Sequence, residues 1–341
     1  MKKERMSNIE LLRLAAMILV LVVHANFFAL GSPSQQDVLA NPASALTRIV
    51  FQSFAIVCVN VFVLISGWFG IHPSVRGFSN FIFQCLFFLC GIYFVMLGMG
   101  LVPFTLKGLA GCFVLLNWNW FIKAYIGLYI LAPVLNAFVE KSTQRQFLNV
   151  LISFFIFQTI YSWISNGAVF FEGGYSTMSF IGLYLLARYI NVYKPRVMFY
   201  PPHYYAWMYL LITIAMASIS FLSVKYGHGI LSGKMYSYVN PLVIMSALML
   251  LLWFNGLEIK SKFINWCAAS SFAIFLLHTN PNICEPYYTP MVRKLYSIYN
   301  GAECIFSILG FIILVAVLAI LIDQIRKLIW NKLVIRIFDR L

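Results

Sequence analysis

Apolar segments as long as a membrane span recur from one end of the chain to the other, and they constrain its fold most strongly. A helix needs about 20 apolar residues to cross the hydrocarbon core of a bilayer. Ten segments meet this requirement: 9–30, 49–71, 80–101, 118–138, 147–165, 177–193, 204–223, 239–256, 263–280 and 302–325. A helix also bonds its own backbone polar groups, as lipid requires. The sequence therefore predicts an all-α, polytopic integral membrane helix bundle with about ten transmembrane helices, surrounded by lipid bilayer.

The composition excludes an ordinary soluble protein. The chain is 62% hydrophobic and 10% charged, whereas soluble domains have about 25% charged residues. No polar linker separates the apolar segments, so we predict a single transmembrane domain over residues 1–341. The net charge of +14 does not indicate a nucleic-acid partner, because the basic residues are scattered along the chain.

The distribution of Lys and Arg predicts the orientation in the membrane. With the N-terminus inside, sixteen basic residues fall in inner segments and six in outer segments. Arg13 and Lys123 remain within spans. Cytoplasmic segments carry an excess of Lys and Arg, so we predict that both termini are cytoplasmic.

Two ionisable residues interrupt the first span, "LLRLAAMILVLVVHANFF" at residues 11–28. At 3.6 residues per turn, Arg13 and His24 lie within roughly 20° of one helix face and about 16 Å apart along the axis. The cost of exposing such groups to lipid predicts that this face points into the bundle. Glu10 precedes Arg13 by one turn and is expected to pair with it. Two alternatives stay open: an Arg13 that extends to the membrane surface, and a His24 that is merely packed and hydrogen-bonded.

Two further ionisable residues are predicted in the outer half of the bundle. Lys123 lies early in the fourth span, near the depth predicted for His24, and His278 closes the ninth span in "SSFAIFLLHTNP". Lys123 could instead extend to the surface, and His278 could simply bond the last carbonyls of its helix. Three such groups at one depth indicate a site more strongly than any one of them.

Metal and nucleotide motifs are not found. The sequence has no H-E-x-x-H, P-loop or G-x-G-x-x-G pattern, so we predict no metal and no bound cofactor. The seven cysteines lack metal-ligand spacing. Cys284 and Cys304 flank one predicted outer loop, and they could pair in an oxidising compartment.

Six segments together resemble a known family. "LLRLAAMILVLVVH" is similar to the first-helix signature of the membrane acyltransferase type 3 family, an Arg and a His separated by ten residues. "VFVLISGWFGI" resembles its second-helix pattern. Four later segments resemble further blocks in the expected order: "WFIKAYIGLYILAPVLN", "FIGLYLLARYI", "YSYVNPLVIM" and "SSFAIFLLHTNP".

The resemblance implies transfer of an acyl group, usually acetyl from cytoplasmic acetyl-CoA, to a sugar hydroxyl. It also implies a multi-pass protein of the bacterial cytoplasmic (inner) membrane. Acceptors in this family include exopolysaccharides and other surface glycans. Two departures matter: "HPSVRGFSNF" keeps only Arg76 of a basic R-x-x-R motif, and the fourth-span block carries Lys123 where many members have a carboxylate. These departures resemble the branch that O-acetylates surface polysaccharides.

Roles in catalysis and donor binding follow from this resemblance. A sugar hydroxyl is a poor nucleophile near neutral pH, and histidine is the usual general base. We expect His24 to be that base, with Arg13 as its motif partner. Arg13 and Arg76 are expected to hold the phosphates of CoA, since guanidinium suits phosphate geometry.

The acceptor side is predicted from residues of the fourth and ninth spans. Lys123 or His278 would stabilise the oxyanion or orient the sugar. Trp118, Trp120 and Tyr125 would stack on its apolar face. The expected acceptor is a glycan or a lipid-linked saccharide, and the sequence leaves a homodimer open.

An alternative function is a transporter of a lipid-linked glycan or a small anion. Ten spans with interior charges also suit that class. The chain shows no convincing repeat between residues 1–170 and 171–341. A purely structural or sensory protein would leave the Arg13 and His24 face unexplained.

Overall fold

The computed structural model describes residues 5–113, 119–165 and 169–335, and these ranges are helical with no β-strand among them. The α-helices are α1 (Ser7–Val23), α2 (Gln35–Ala40), α3 (Pro42–Ala55), α4 (Cys58–Phe69), α5 (Val75–Gly98), α6 (Leu106–Phe113), α7 (Trp120–Lys141), α8 (Gln144–Gln158), α9 (Thr177–Tyr193), α10 (Pro202–Lys225), α11 (Gly229–Met235), α12 (Pro241–Asn255), α13 (Lys262–Ala268), α14 (Ser271–His278), α15 (Pro281–Ile283), α16 (Thr289–Ile298) and α17 (Gly301–Ile329). π-Helical turns cover His24–Phe28, Thr159–Ile164, Cys284–Tyr288 and Trp330–Val334, and 3₁₀ turns cover Val169–Gly174 and Arg196–Met198. The predicted all-α fold is confirmed.

Seven helical segments within the described residues are long and apolar enough to cross a membrane. They are Ser7–Phe28, Pro42–Phe69, Val75–Gly98, Trp120–Lys141, Gln144–Ile164, Pro202–Lys225 and Gly301–Lys332. Together they establish a multi-pass membrane protein. The sidedness of the termini stays a prediction.

The other three predicted spans are also helical: α9 matches the predicted bounds 177–193, α12 is shorter than predicted, and the ninth span is interrupted. Helix α9 has 17 residues and α12 has 15. The ninth predicted span is divided into α13 and α14 by a turn at residues 269–270. Ser270 lies in that turn, and its hydroxyl accepts hydrogen bonds from Gln324 Nε2 at 2.9 Å and Lys327 Nζ at 2.6 Å. A break in a membrane helix is tolerated where protein groups supply such partners.

Side-chain caps explain where several helices begin. Ser34 and Asp37 form a reciprocal capping box at the start of α2. Hydrogen bonds from Ser34 hold the pKa of the exposed Asp37 carboxyl below its usual value. Asn240 accepts from the Leu242 N–H at 2.9 Å, with Pro241 at the first position of α12. An Asn cap followed by Pro at the first helical position is a favourable helix start.

The chain divides into two compact units, Met1–His72 with Trp120–Asn265 and Pro73–Asn119 with Trp266–Leu341. In the first unit, α4 packs against α1, α9 and α12, while α10 packs against α3 and α12. A β-carbon on Gly67 of α4 would lie 2.5 Å from the carbonyl oxygen of Tyr184 on α9. Glycine therefore lets these two helix backbones approach closely, as small residues do between membrane helices. The single-domain assignment over residues 1–341 stays a prediction.

The second unit is joined by a buried polar network. Its helix α14 packs against α5 and α17. Asp323 on α17 is fully buried and accepts from Gln84 Nε2 at 3.0 Å and from Arg326 Nε at 2.9 Å. Arg326 also donates to Asn80 Oδ1 on α5 at 2.9 Å. Charges can be buried in this way because each is paired and hydrogen-bonded.

Candidate functional site

Arg13 and His24 share one helix, as their spacing predicts. Helix α1 is continuous from Ser7 to Val23, and the wider π-helical turn begins only at His24. The stretch between the two residues is therefore α-helical, and about 16 Å along the axis separates them. Both side chains are half-buried.

Arg13 belongs to an arginine cluster, which we define as Glu10, Arg13, Ser66 and Tyr125. Nη1 of Arg13 lies 3.2 Å from each carboxylate oxygen of Glu10, so the predicted pair is confirmed. The Glu10 side chain is 7% exposed and also lies 3.8 Å from Arg5 Nη1. This carboxylate therefore holds the Arg13 guanidinium in place with a charge-assisted contact.

Tyr125 brings the fourth predicted span into the arginine cluster. Its hydroxyl lies 3.4 Å from Ser66 Oγ on α4, and Ser66 donates to the Phe62 carbonyl at 3.2 Å. With the Ser66 proton used in that way, the Tyr125 hydroxyl is the donor between the two. The Tyr125 ring stacks on Phe121, with centroids 6.0 Å apart. The Arg13 guanidinium and the Tyr125 hydroxyl are near enough to interact electrostatically.

His24 begins the π-helical turn that contains Asn26. We define the histidine cluster as His24 together with Asn26, Arg48 and Gln52, which bond this turn to α3. The His24 ring lies 5.5 Å from that of Phe28. Asn26 is buried, and its Nδ2 donates to the Arg48 carbonyl at 2.7 Å and to Gln52 Oε1 at 3.3 Å. Arg48 Nε donates back to Asn26 Oδ1 at 3.3 Å. The π-helical turn after His24 is thereby tied to α3.

A chain of buried hydroxyls lies beside this turn. Phe27 packs edge-on against Tyr236, with ring centroids 5.2 Å apart. The Tyr236 hydroxyl lies 3.1 Å from Ser53 Oγ, and Ser220 Oγ lies 2.6 Å from Ser232 Oγ. Burial raises the pKa of the Tyr236 phenol, so it remains a proton donor at neutral pH.

The two clusters lie at different depths. Gln52 marks the level of the histidine cluster and Ser66 that of the arginine cluster, within the single helical segment Pro42–Phe69. Fourteen residues of helix correspond to about 20 Å. Lys123 is two residues from Tyr125 and thus near the level of Ser66. The expectation that Lys123 lies at the depth of His24 is wrong, because the fourth span starts deeper in the bundle than its sequence position implies.

Lys123 and Trp120 face different surroundings. Two residues correspond to about 200° around a helix, so Lys123 lies on the side of α7 opposite Tyr125, where it is exposed. Trp120 is half-buried among aromatic rings, with centroids 4.5 Å from Tyr175 and 6.1 Å from Tyr238. Trp118 lies outside the described residues.

Arg76 and His278 belong to the second unit. Arg76 is exposed in the first turn of α5. His278 is fully buried, and its Nδ1 lies 2.6 Å from the Ile274 carbonyl oxygen one turn earlier. A carbonyl only accepts, so this nitrogen carries the proton. His278 packs against Tyr288, with ring centroids 5.6 Å apart, an arrangement that favours a structural role.

Sequence reasoning missed several of these partners. Asn26 and Gln52 are polar residues within predicted spans, which was a signal that they bond each other. Arg48 was assigned to an outer loop. Both Cys284 and Cys304 are buried thiols with no disulfide. Among the described residues, no group of His, Cys, Asp and Glu is arranged to hold a metal ion.

Comparison with known proteins identifies the kind of domain. A family model described as an acyltransferase domain matches residues 6–323, which is most of the chain. No curated protein and no solved structure shows a significant match. The match includes both clusters and residues of both units.

Proposed function

The chain belongs to the membrane acyltransferase type 3 family, and from this premise we propose that it is an O-acetyltransferase of a cell-surface or exported polysaccharide. Acyl transfer within a multi-pass membrane protein follows from the family and the helices. Our proposal adds acetyl-CoA as the donor, bound from the cytoplasm, and a sugar hydroxyl as the acceptor. Membership of this family favours a transferase over the transporter alternative.

One observation carries the proposal: a single unbroken helix holds Arg13 and His24 about three turns apart. Acyl-CoA is an extended molecule with phosphates at one end and the thioester at the other. A donor held by its phosphates near Arg13 can direct its thioester along α1 toward His24. The depth difference between the arginine and histidine clusters supports this division.

The chemistry assigned to His24 balances without any further reactant. The imidazole takes the proton of the sugar hydroxyl as its oxygen attacks the thioester carbonyl. A carbon–oxygen bond forms, the carbon–sulfur bond breaks, and the proton passes from His24 to the departing CoA sulfur. The products are an O-acetyl sugar and CoA. General-base catalysis of this kind contributes typically about 10²–10⁴-fold.

The other predicted site residues differ in their burial and in their contacts. Arg13 is fixed by Glu10 and suits a phosphate contact. Arg76 is exposed on α5, and its part in donor binding stays a prediction. Tyr125 directs its hydroxyl into the arginine cluster. Trp120 stays our candidate for contact with the sugar. The exposure of Lys123 and its distance in depth from His24 argue against contact with an oxyanion formed there. The burial of His278 argues against contact with the acceptor.

We place the protein in a bacterial cytoplasmic membrane with its donor face inward. The basic residues then concentrate on the side where acetyl-CoA is made. A glycan or a lipid-linked saccharide would approach from the outer side, where His24 is predicted to lie.

Replacement of His24 tests the proposal. We expect His24→Ala to lower transfer of labelled acetyl from acetyl-CoA to glycan in isolated membranes by about 10²–10⁴-fold, because the base is lost. The amount of inserted protein is measured in parallel. His203→Ala, which changes an exposed histidine on α10, is the matched control and should retain activity. Undiminished transfer by a fully inserted His24→Ala protein would exclude His24 as the base.

A further inference from the structure

Arg188 on α9 has no ion-pair partner among the described residues. The residue is half-buried, and its Nε is buried with no hydrogen-bond partner among the described residues. The ion pairs of the described part of the chain involve Glu10 and Asp323, and none includes Arg188. Leaving a partly buried guanidinium uncompensated costs free energy. An anion from outside the chain would remove this cost.

The end of α4 provides a recess for this guanidinium. Gly70 follows α4 with φ of 76°, a left-handed conformation that glycine adopts readily. A β-carbon at Gly70 would lie 3.1 Å from Nη1 of Arg188 and 3.7 Å from Nε2 of the exposed His72. Because Gly70 has no side chain, Arg188 can lie directly against the backbone beside His72. The Arg188 guanidinium and the His72 imidazole thus both border the space beside Gly70.

A hydrogen-bonded frame holds this recess. The Tyr184 hydroxyl donates to Asn136 Oδ1 at 2.6 Å and accepts from the Ile71 N–H at 3.1 Å. Asn136 Nδ2 donates to the Ile71 carbonyl at 2.8 Å. Arg188 is one turn after Tyr184 on α9, so its base is fixed by the same frame. The frame joins the segment just after α4 to α7 and to the middle of α9.

The recess lies close to the arginine cluster. The Gly70 N–H donates to the Ser66 carbonyl at 3.1 Å, and Ser66 Oγ lies 3.4 Å from the Tyr125 hydroxyl of that cluster. Gly67, next to Ser66, packs against the backbone of Tyr184, one turn before Arg188. The recess and Ser66 of the arginine cluster therefore lie at the same end of α4.

We propose that Arg188 binds a phosphate group of the acyl-CoA donor, a contact additional to that of Arg13. The inference rests on the proposed function, because it takes the donor to be a CoA thioester. A planar guanidinium matches phosphate in a two-point contact, which lysine cannot reproduce. The phosphate would form an ion pair with Arg188 and hold that end of the donor beside Gly70, at the end of α4.

Binding measurements on the purified full chain in phosphatidylcholine nanodiscs test this assignment. Wild type, Arg188→Gln and Arg188→Lys are titrated with acetyl-CoA and with S-acetylpantetheine, which has the thioester but no phosphate. We expect Arg188→Gln to weaken acetyl-CoA binding by about 10- to 100-fold, the range for a hydrogen bond to a charged group, with a smaller loss for Arg188→Lys. Binding of S-acetylpantetheine should be unchanged. Arg145→Gln, at an exposed arginine in the first turn of α8, is the matched control.

The other outcomes are distinct. Equal acetyl-CoA affinity in wild type and Arg188→Gln would overturn the assignment and leave Arg188 as a water-facing cation. Phosphatidylglycerol in the nanodisc could instead raise the unfolding temperature of wild type but not of Arg188→Gln, with no such effect of acetyl-CoA. That result would assign the phosphate to a lipid and overturn the donor contact. A wild-type protein that binds no acetyl-CoA would contradict the proposed function itself. Thermal unfolding of Arg188→Gln and of Arg188→Lys shows whether each variant folds, and a folded Arg188→Lys with weakened acetyl-CoA binding tests the two-point contact separately from charge.

Discussion

At the residue scale, the surroundings of each arginine decide its role. Arg326 is buried with Asp323 as its carboxylate partner, although its sequence position predicts an inner loop. Arg13 is half-buried and paired with Glu10. Arg188 is half-buried and outside the ion pairs of the described residues. A buried, paired arginine such as Arg326 stabilises the fold. The half-buried Arg13 and Arg188 leave part of the guanidinium accessible to an anionic ligand.

The pairing of Glu10 with Arg13 predicts a measurable coupling. Glu10→Gln, Arg13→Gln and the double variant form a double-mutant cycle, with unfolding followed by denaturant titration in detergent. We expect a coupling free energy on the order of 1 kcal/mol, because the pair is partly buried and has short contacts. Arg5→Gln, which removes the longer and more exposed contact, should couple less. Strictly additive effects of the two substitutions would show that the pair contributes nothing to stability.

At the element scale, helix packing follows from where small residues lie. Helices α4 and α9 approach at Gly67 because the contacting atoms of Tyr184 include its backbone oxygen. Backbone atoms cannot move aside as a flexible side chain can. The closeness of these helices also brings Tyr184 and Arg188 to the end of α4.

Gly67→Ala should therefore destabilise the protein. The new methyl group would force α4 and α9 apart, and overpacking of this kind costs about 1–3 kcal/mol. Thermal unfolding in detergent measures the effect. Gly91→Ala on α5 is the matched control, because nothing lies within 4 Å of its added β-carbon and alanine favours a helix over glycine. Equal stability of the two variants would contradict close packing at Gly67.

At the scale of the whole molecule, the excess of Lys and Arg in the predicted inner segments over the outer ones predicts the orientation of the chain. The proposed function depends on this orientation, because acetyl-CoA is cytoplasmic and the glycan acceptor lies outside. Ser34 is exposed at the start of α2, and Arg145 is exposed on the first turn of α8. The predicted topology places these residues on opposite sides of the membrane.

Single-cysteine substitutions at these positions test the topology. Ser34→Cys should react with a membrane-impermeant maleimide in intact cells, and Arg145→Cys should react only after the membrane is opened. The seven native thiols are buried or half-buried, so the unsubstituted chain gives the background. The reverse labelling pattern would place both termini outside and contradict donor binding from the cytoplasm.

Much of the fold and part of the site could be predicted from the sequence. The apolar segments, the Glu10–Arg13 pair and the shared helix of Arg13 and His24 all follow from the period of a helix. The contact of Tyr125 with Ser66 could not be predicted, because it depends on the relative height of two helices about 60 residues apart in the chain. Lys123 was misplaced in depth for the same reason.

The sequence by itself determined that this protein is a helical membrane protein, since lipid demands long apolar segments whose backbone groups bond within each helix. It also determined which residues share one helix face. Only the tertiary structure decided which faces meet, because hydropathy is a local property whereas helix register depends on packing between distant segments. Packing divided the ionisable residues into an arginine cluster and a histidine cluster, buried His278 in the second unit, and placed Arg188 beside Gly70.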